Sequence, residues 1–214
     1  MKPKSQISSA RKTAPSPVLS MPGEVRIIGG MWKRSKLSVL AKLGLRPTPD
    51  RVRETLFNWL GQDLSGLRCV DVFAGSGALG FEAASRGAQD VLLIEQDAQL
   101  VAKLQESKTR LKADSIRIQR GDGIAILRSL PKASIDVIFI DPPFDSDLFL
   151  EAIKAAAGVL SAQGAIYLEA PEAWSDTQLV PLGLQVNKQS KAGAVHFHLL
   201  KKTESALMSL GHVV

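Results

Sequence analysis

Asp141-Pro142-Pro143-Phe144 sets a carboxylate, two prolines and an aromatic ring in four consecutive positions. The segment follows Asp136-Val137-Ile138-Phe139-Ile140, a short apolar run that reads as a buried strand. An exocyclic amine on a nucleobase is conjugated with its ring and is a poor nucleophile. If its two N–H groups donate to the Asp141 carboxylate and to a nearby backbone carbonyl, the nitrogen becomes more tetrahedral and its lone pair can attack a methyl group. Proline has a fixed φ and no N–H, so Pro142 and Pro143 form a stiff turn that presents carbonyls. Phe144 can stack on the base. By itself the segment also describes a plain proline-rich turn after a core strand.

The residues of a second motif decide between these. Asp71-Val72-Phe73-Ala74-Gly75-Ser76-Gly77-Ala78-Leu79-Gly80 also follows an apolar run and opens a helix. Its glycines let the backbone turn sharply and approach a bound nucleotide. This pattern, with Phe73, Ala74, Gly75 and Gly77 as contacts, serves NAD and S-adenosylmethionine (SAM) equally. Glu95, at the end of the next strand with Gln96 after it, can accept both hydroxyls of a ribose, again in either site; a surface carboxylate at a strand end is the plainer reading. Asp71 discriminates between them. A carboxylate before the glycine turn repels a pyrophosphate and attracts the ammonium of SAM. Asp122 and Gly123 follow a third strand, where Asp122 can accept an adenine amino group or simply belong to a loop. The expected reaction is an in-line methyl transfer driven by positioning and electrostatics, with no metal.

The elements that must position these residues alternate. Candidate strands are 69–74, 91–95, 116–119, 136–140 and 165–169. Candidate helices are 78–86, 98–112, 123–129 and 147–160. This order predicts a Rossmann-like α/β fold, a doubly wound and mostly parallel sheet covered on both faces. Leu184–Gln189 and 194–200 add a C-terminal antiparallel hairpin, for seven strands in all. Ligands of such sheets sit beyond the carboxyl ends of the strands, which places both motifs in one crevice. His196 and His198 share a strand face without a third metal ligand, so a solvated face is expected. Trp174, in a loop, can edge the crevice.

The N-terminal part is different. Residues 1–53 carry 12 of the 27 Lys and Arg residues but 2 of the 21 Asp and Glu, a balance of +10 against −4 for the remainder. This asymmetry fits an arm for a polyanion. Residues 1–22 read as a disordered basic tail. They lack the apolar centre of a secretory signal, and their prolines disfavour a transit-peptide helix. Residues 23–47 read as a β-hairpin extension around a Gly29-Gly30 turn. Arg26, Trp32, Lys33, Arg34 and Lys36 there, with Arg51 and Arg53 in the next helix, form the candidate RNA surface; a basic sheet edge that deters aggregation is the alternative. Thr48 is placed to cap the helix, with Pro49 at its first position and Val52, Leu56, Trp59 and Leu60 as its apolar stripe. Residues 48–202 form the catalytic domain and 203–214 a tail. Cys69, the single cysteine, excludes an internal disulfide and opens a core strand. No apolar run reaches membrane-spanning length. A cytoplasmic monomer is expected.

Taken together, Arg26-Ile27-Ile28-Gly29-Gly30, the run from Leu45-Arg46-Pro47-Thr48-Pro49-Asp50-Arg51-Val52-Arg53-Glu54 to Leu60, and the two motifs resemble the RsmD family over roughly residues 25–200. These are bacterial 16S ribosomal RNA guanine-N2 methyltransferases. The resemblance implies a class I SAM-dependent fold and one guanine amine in the small ribosomal subunit, or its assembly intermediate, as substrate. It also implies that Arg46, Thr48 and the following helix fold over the methionine end of SAM. An adenine-N6 methyltransferase uses the same Asp-Pro-Pro-Phe logic and is the alternative. A non-catalytic assembly factor conflicts with the intact Asp141 and Glu95, and a dehydrogenase leaves Asp-Pro-Pro-Phe unexplained.

Overall fold

The computed structural model describes residues 23–40, 47–144 and 146–210. The tail expected over 1–22, and Arg46 with its expected cofactor contact, lie outside the described residues. The element order is β1 (Gly23–Arg26), β2 (Lys36–Val39), α1 (Asp50–Trp59), β3 (Arg68–Asp71), α2 (Ala78–Ser85), β4 (Asp90–Glu95), α3 (Ala98–Leu111), β5 (Ile116–Arg120), α4 (Gly123–Ser129), β6 (Ile135–Ile140), α5 (Phe149–Val159), β7 (Leu160–Ala170), α6 (Asp176–Leu179), β8 (Leu184–Ala192), β9 (Val195–Lys202) and α7 (Glu204–Leu210). Seven strands form one sheet in the order β5-β4-β3-β6-β7-β9-β8. The first five in this order are parallel, and β9 runs antiparallel to both β7 and β8.

Strand alternation divides the core into two layers. Cys69, Val91, Leu93, Val137, Phe139, Tyr167 and Phe197 face α1, α2 and the N-terminal extension. Val70, Leu92, Ile94, Ile138, Ile140, Ile166 and Leu168 face the side covered by α5 residues such as Ile153 and Ala156. The parallel strands are buried on both faces, so they read as continuous apolar runs rather than alternating ones. On the first face α1 packs through aromatic contacts. Phe57 lies 6.2 Å from Phe139, and Trp59 stacks on Phe197 at 5.3 Å. Phe57 is fully buried and Trp59 only partly. The actual stripe of α1 is Val52, Arg53, Leu56 and Phe57, one position rotated from the expected one.

The N-terminal extension departs most from expectation. β1 and β2 pair antiparallel, with Arg26 opposite Lys36, but nine residues connect them and Gly29-Gly30 is not their turn. The two glycines dock on the end of α2. Ile28 and Gly29 donate their N–H groups to the Glu82 carboxylate, both at 2.8 Å. Met31 N–H donates to the Ser85 carbonyl at 2.7 Å. Gly30 has φ +72°, and a Cβ on it would lie 1.8 Å from the Ser85 carbonyl oxygen, so only glycine allows this approach. Val25, Ile27, Leu37 and Val39 enter the first core layer.

Arg53, expected on an RNA surface, is 0 % exposed. Its position in the inward stripe of α1 carries the guanidinium into the interior. There Nη1 pairs with Glu82 Oε2 at 3.3 Å, Nη2 donates to the Arg26 carbonyl and to Asp50, and Nε donates to the Thr48 carbonyl. Trp32, expected as a stacking platform, is half-buried with its ring edge-on to Phe81. The segment after β9 contains α7 rather than a tail. Thr203 Oγ1 accepts the Ala206 N–H at 3.3 Å and caps it, a signal too short to produce visible periodicity.

Replacing Gly30 by Ala is expected to destabilise the protein by about 2–4 kcal/mol, from overpacking plus positive φ. Arg53→Ala strips the buried Glu82 of a countercharge and is expected to cost roughly 3–5 kcal/mol. Chemical denaturation of each variant against the parent checks both.

Candidate active site

The sheet order brings the two motifs together. From β3 the chain moves outward through β4 and β5, then returns to the other side of β3 for β6 and β7. The crevice between the loops after β3 and β6 is therefore the topological switch point, where α/β sheets bind ligands. Phe73, Ala74, Gly75 and Gly77 follow β3, Glu95 ends β4 and Gln96 follows it, Asp122 and Gly123 follow β5, and Asp141 to Phe144 follow β6. All of these described residues lie at the carboxyl ends of adjacent strands.

The glycine loop is held from below. Gly75 N–H donates to Glu95 Oε2 at 2.9 Å, and Asp97 N–H donates to Oε1 at 2.8 Å. Glu95 is thus aligned by the backbone it supports. Ala74 N–H donates to the Ile94 carbonyl. Gly77 has φ +78° and precedes α2, and a Cβ there would lie 2.6 Å from Leu104 Cδ2. Phe73 is half-buried against the second core layer. Gln96 is exposed, and its carbonyl accepts Arg120 Nε. Asp122 caps α4, with Oδ1 accepting Ala125 N–H at 2.7 Å. That bond occupies one oxygen of the residue read as an adenine acceptor.

Four carboxylates share the α1-facing side of this edge. Asp71, Glu95, Asp141 and Glu169 each stand two residues beyond a first-layer core residue, namely Cys69, Leu93, Phe139 and Tyr167. Asp71 is buried, and its Oδ2 accepts Gly80 N–H at 3.1 Å. Burial pushes its carboxyl up to about 7, against the pull of the Gly80 and Phe73 N–H groups. Burial, with Glu169 and Asp71 as like charges, raises Asp141 well above the usual range. Glu169 is also raised by burial, although the Thr48 and Tyr167 hydroxyls both donate to it. In the sequence Glu169 looks like the last residue of an ordinary core strand, which hides its place at the site. Its signal was its spacing from Tyr167, the same as that of Asp141 from Phe139. Among the described residues, no three Asp, Glu, His or Cys side chains are placed to hold a metal ion.

Thr48 does not cap α1. Pro49 takes that position without a side-chain bond, and the buried Thr48 hydroxyl goes to Glu169 instead. In the Asp-Pro-Pro-Phe turn, Pro142 is buried and Phe144 is 41 % exposed. Ser146 donates both its N–H and its hydroxyl to the Pro143 carbonyl. His198, expected on a solvated face, is fully buried. Its Nε2 accepts Trp174 N–H at 3.1 Å and its Nδ1 faces the Leu168 carbonyl, which fixes the loop after β7. Burial lowers its basicity. Arg26, Lys33, Arg34, Lys36 and Arg51 are exposed, with Arg26 paired to Asp50 and Lys36 to Glu24. Arg53 is not part of that surface.

Residues 25–201 match the family described as Conserved hypothetical protein 95. The chain is 39 % identical over 182 residues to Ribosomal RNA small subunit methyltransferase D of Escherichia coli, covering 84 % of this chain and 91 % of that one. It is 39 % identical over 183 residues to the protein of the same name from Haemophilus influenzae, covering 83 % and 93 %. The solved structure of a methyltransferase from Escherichia coli, yhhF, aligns with a TM-score of 0.74 at 36 % identity, covering 84 % of this chain and 98 % of that one.

Asp71 supplies a pH prediction for the ligand-free protein. Its folded value of about 7 lies above its ordinary 3.8, so between the two the folded state binds more protons than the unfolded state. Stability from this group is present below about 4 and is lost as pH rises toward 7. The loss is bounded at about 4 kcal/mol. Asp71→Asn keeps an oxygen acceptor for Gly80 and is expected to flatten this slope, as read by denaturation across that range.

Proposed function

The chain belongs to the RsmD family of methyltransferases, and we propose that it methylates the exocyclic N2 amine of a guanine in 16S rRNA, using SAM. The observation that carries this reading is the placement of Asp141-Pro142-Pro143-Phe144 directly after β6, the neighbour of the strand that leads into the glycine loop; Asp141 supplies a carboxylate and Pro142 a carbonyl there. Two acceptors on a stiff turn suit the two N–H groups of one amine. The names of the relatives, ribosomal RNA small subunit methyltransferase D, support the substrate class. Cytoplasmic small ribosomal subunits, or their assembly intermediates, are the proposed partner, approached by a monomer.

The residues fit a cationic cofactor. Among the described residues, the charged groups that act on the buried Asp71 and the half-buried Asp141 are themselves carboxylates. Glu95 is placed for the ribose hydroxyls, Asp71 and the glycine loop for the methionine part, and Asp122 with Gly123 for adenine. When bound, SAM supplies an electrophilic methyl group on a positively charged sulfur. Asp141 and the Pro142 carbonyl hold the amine and orient its lone pair, and Phe144 stacks on the guanine ring. Exposed Lys33, Arg34 and Arg51 take rRNA phosphates.

The test is incubation with labelled SAM and small subunits from a strain lacking this gene, followed by nucleoside analysis. Label in N2-methylguanosine is expected; label in N6-methyladenosine or none overturns the reading. Asp141→Ala is expected to lower transfer by roughly 10²–10³-fold, with SAM affinity changed only a few-fold in calorimetry. Removing the exposed cations in Lys33→Ala/Arg34→Ala is expected to raise KM for the particle and shallow its salt dependence by about two counterions. Its kcat is expected to stay at the parent level.

A further inference from the structure

Methylating an amine leaves one proton too many on the nitrogen. The positioning of Asp141 alone does not say where that proton goes. Asp141 has a buried neighbour of the same charge. β6 and β7 are parallel, with Phe139 beside Tyr167 and Ile140 beside Leu168. The next step along both strands sets Asp141 beside Glu169, on neighbouring strands spaced about 4.8 Å apart. Glu169 is 5 % exposed. It receives the Tyr167 hydroxyl at 2.8 Å and the Thr48 hydroxyl. Two hydroxyl donors stabilise Glu169 as the carboxylate of the pair.

Among the described residues, the other groups around the pair do not relieve it. β3 contributes Asp71 and β4 contributes Glu95, both acids. β7 contributes Tyr167, already bound to Glu169. On β9, His198 spends both ring nitrogens on Trp174 and Leu168, and His196 stands opposite Ala170. Two adjacent carboxylates, one buried and one half-buried, do not both ionise readily without a countercharge.

We propose that Asp141 and Glu169 act as one proton-sharing pair, in which Glu169 is a positioning residue that sets when Asp141 is ionised. This rests on the SAM-dependent reading above. With no cation bound, the pair holds one proton, located on Asp141 because Glu169 keeps its hydroxyl donors. A sulfonium in the crevice supplies the missing positive charge, the proton leaves to solvent, and Asp141 becomes the acceptor that the amine needs. In transfer, the C–N bond forms as the C–S bond breaks, and the sulfur keeps the bonding pair as a neutral thioether. The extra proton passes from nitrogen to Asp141, and the pair regains its proton as the sulfonium charge disappears.

The ammonium of the methionine part is common to SAM and to S-adenosylhomocysteine, whereas the sulfonium is not. Their difference therefore isolates groups that sense the sulfur charge. Calorimetric titration of the full-length protein near neutral pH, in buffers of different ionisation enthalpy, counts the protons released on binding each. We expect release of nearly one proton more for SAM than for S-adenosylhomocysteine. Glu169→Gln is expected to abolish that difference and move the acid limb of the kcat–pH profile down by about one unit or more, while Glu169→Asp restores both. Equal release for the two ligands in the parent protein overturns the proposal, with or without a foldable variant. So does a Glu169→Gln profile that coincides with the parent's. Failure of the parent to bind SAM at all instead refutes the cofactor reading on which the proposal rests.

Discussion

The fold of the catalytic half depends on one buried carboxylate. Glu82 lies on α2, fully enclosed, and accepts from Ile28 N–H, Gly29 N–H, Arg53 and Arg86. A lone buried carboxylate is untenable, and a buried ion pair is stable only when its remaining hydrogen-bonding positions are filled. Here they are filled by three separate segments: the N-terminal extension, α1 and the end of α2. Arg86 also lies over the Phe57 ring at 4.8 Å, which ties the pair to the aromatic contacts of α1. α2 begins at the glycine loop, so the network that secures its side and end also fixes the origin of the cofactor crevice.

The same face of the sheet treats its other acids in the opposite way. Glu82 has two guanidinium groups. Asp71, Asp141 and Glu169 have hydroxyls, backbone N–H groups and each other. The interior contains cations that could serve these acids, since Arg53 is buried nearby, but it is committed to Glu82 and Asp50. The imbalance costs stability, and a cation bound among these acids would offset it. The carboxylates of this face thus fall into two groups, those the fold neutralises with guanidinium groups and those it does not.

Most of the framework was legible in the sequence because its signals are periodic or stereochemical. The apolar runs ending at Asp71, Glu95 and Ile140, and the helices between them, follow from the parallel α/β pattern, and their observed bounds differ by a few residues at most. The losses have specific physical causes. Arg53 was assigned to the surface because charge normally marks the outside. Its partner is 29 residues away in sequence, and no local pattern announces the pair. Gly29-Gly30 was read as a turn, a common use of such a pair, whereas here close approach to Ser85 requires it. His198 alternates with His196 on a strand that looked solvated. β8 in fact covers its edge, and the loop bearing Trp174 covers the ring. Local signals gave the elements; the identities that depend on a distant partner were hidden.

The segment from Pro47 to Glu54 shows why such partners matter. It is short and mostly polar, yet it reaches both kinds of carboxylate. Its Thr48 hydroxyl goes to Glu169 at the crevice, and its Arg53 goes to Glu82 in the core, while Asp50 and the Thr48 carbonyl hold that guanidinium from the near side. Pro47 and Pro49 restrict the backbone on either side of Thr48, which limits how far its hydroxyl can move relative to α1. A shift of α1 along the sheet would therefore disturb the donor on Glu169 and the countercharge on Glu82 together. In this arrangement the packing of one helix and the hydrogen bonding of the acids at the sheet edge are a single mechanical unit. The dense polar character of the segment is a consequence of two buried acids being served from one chain.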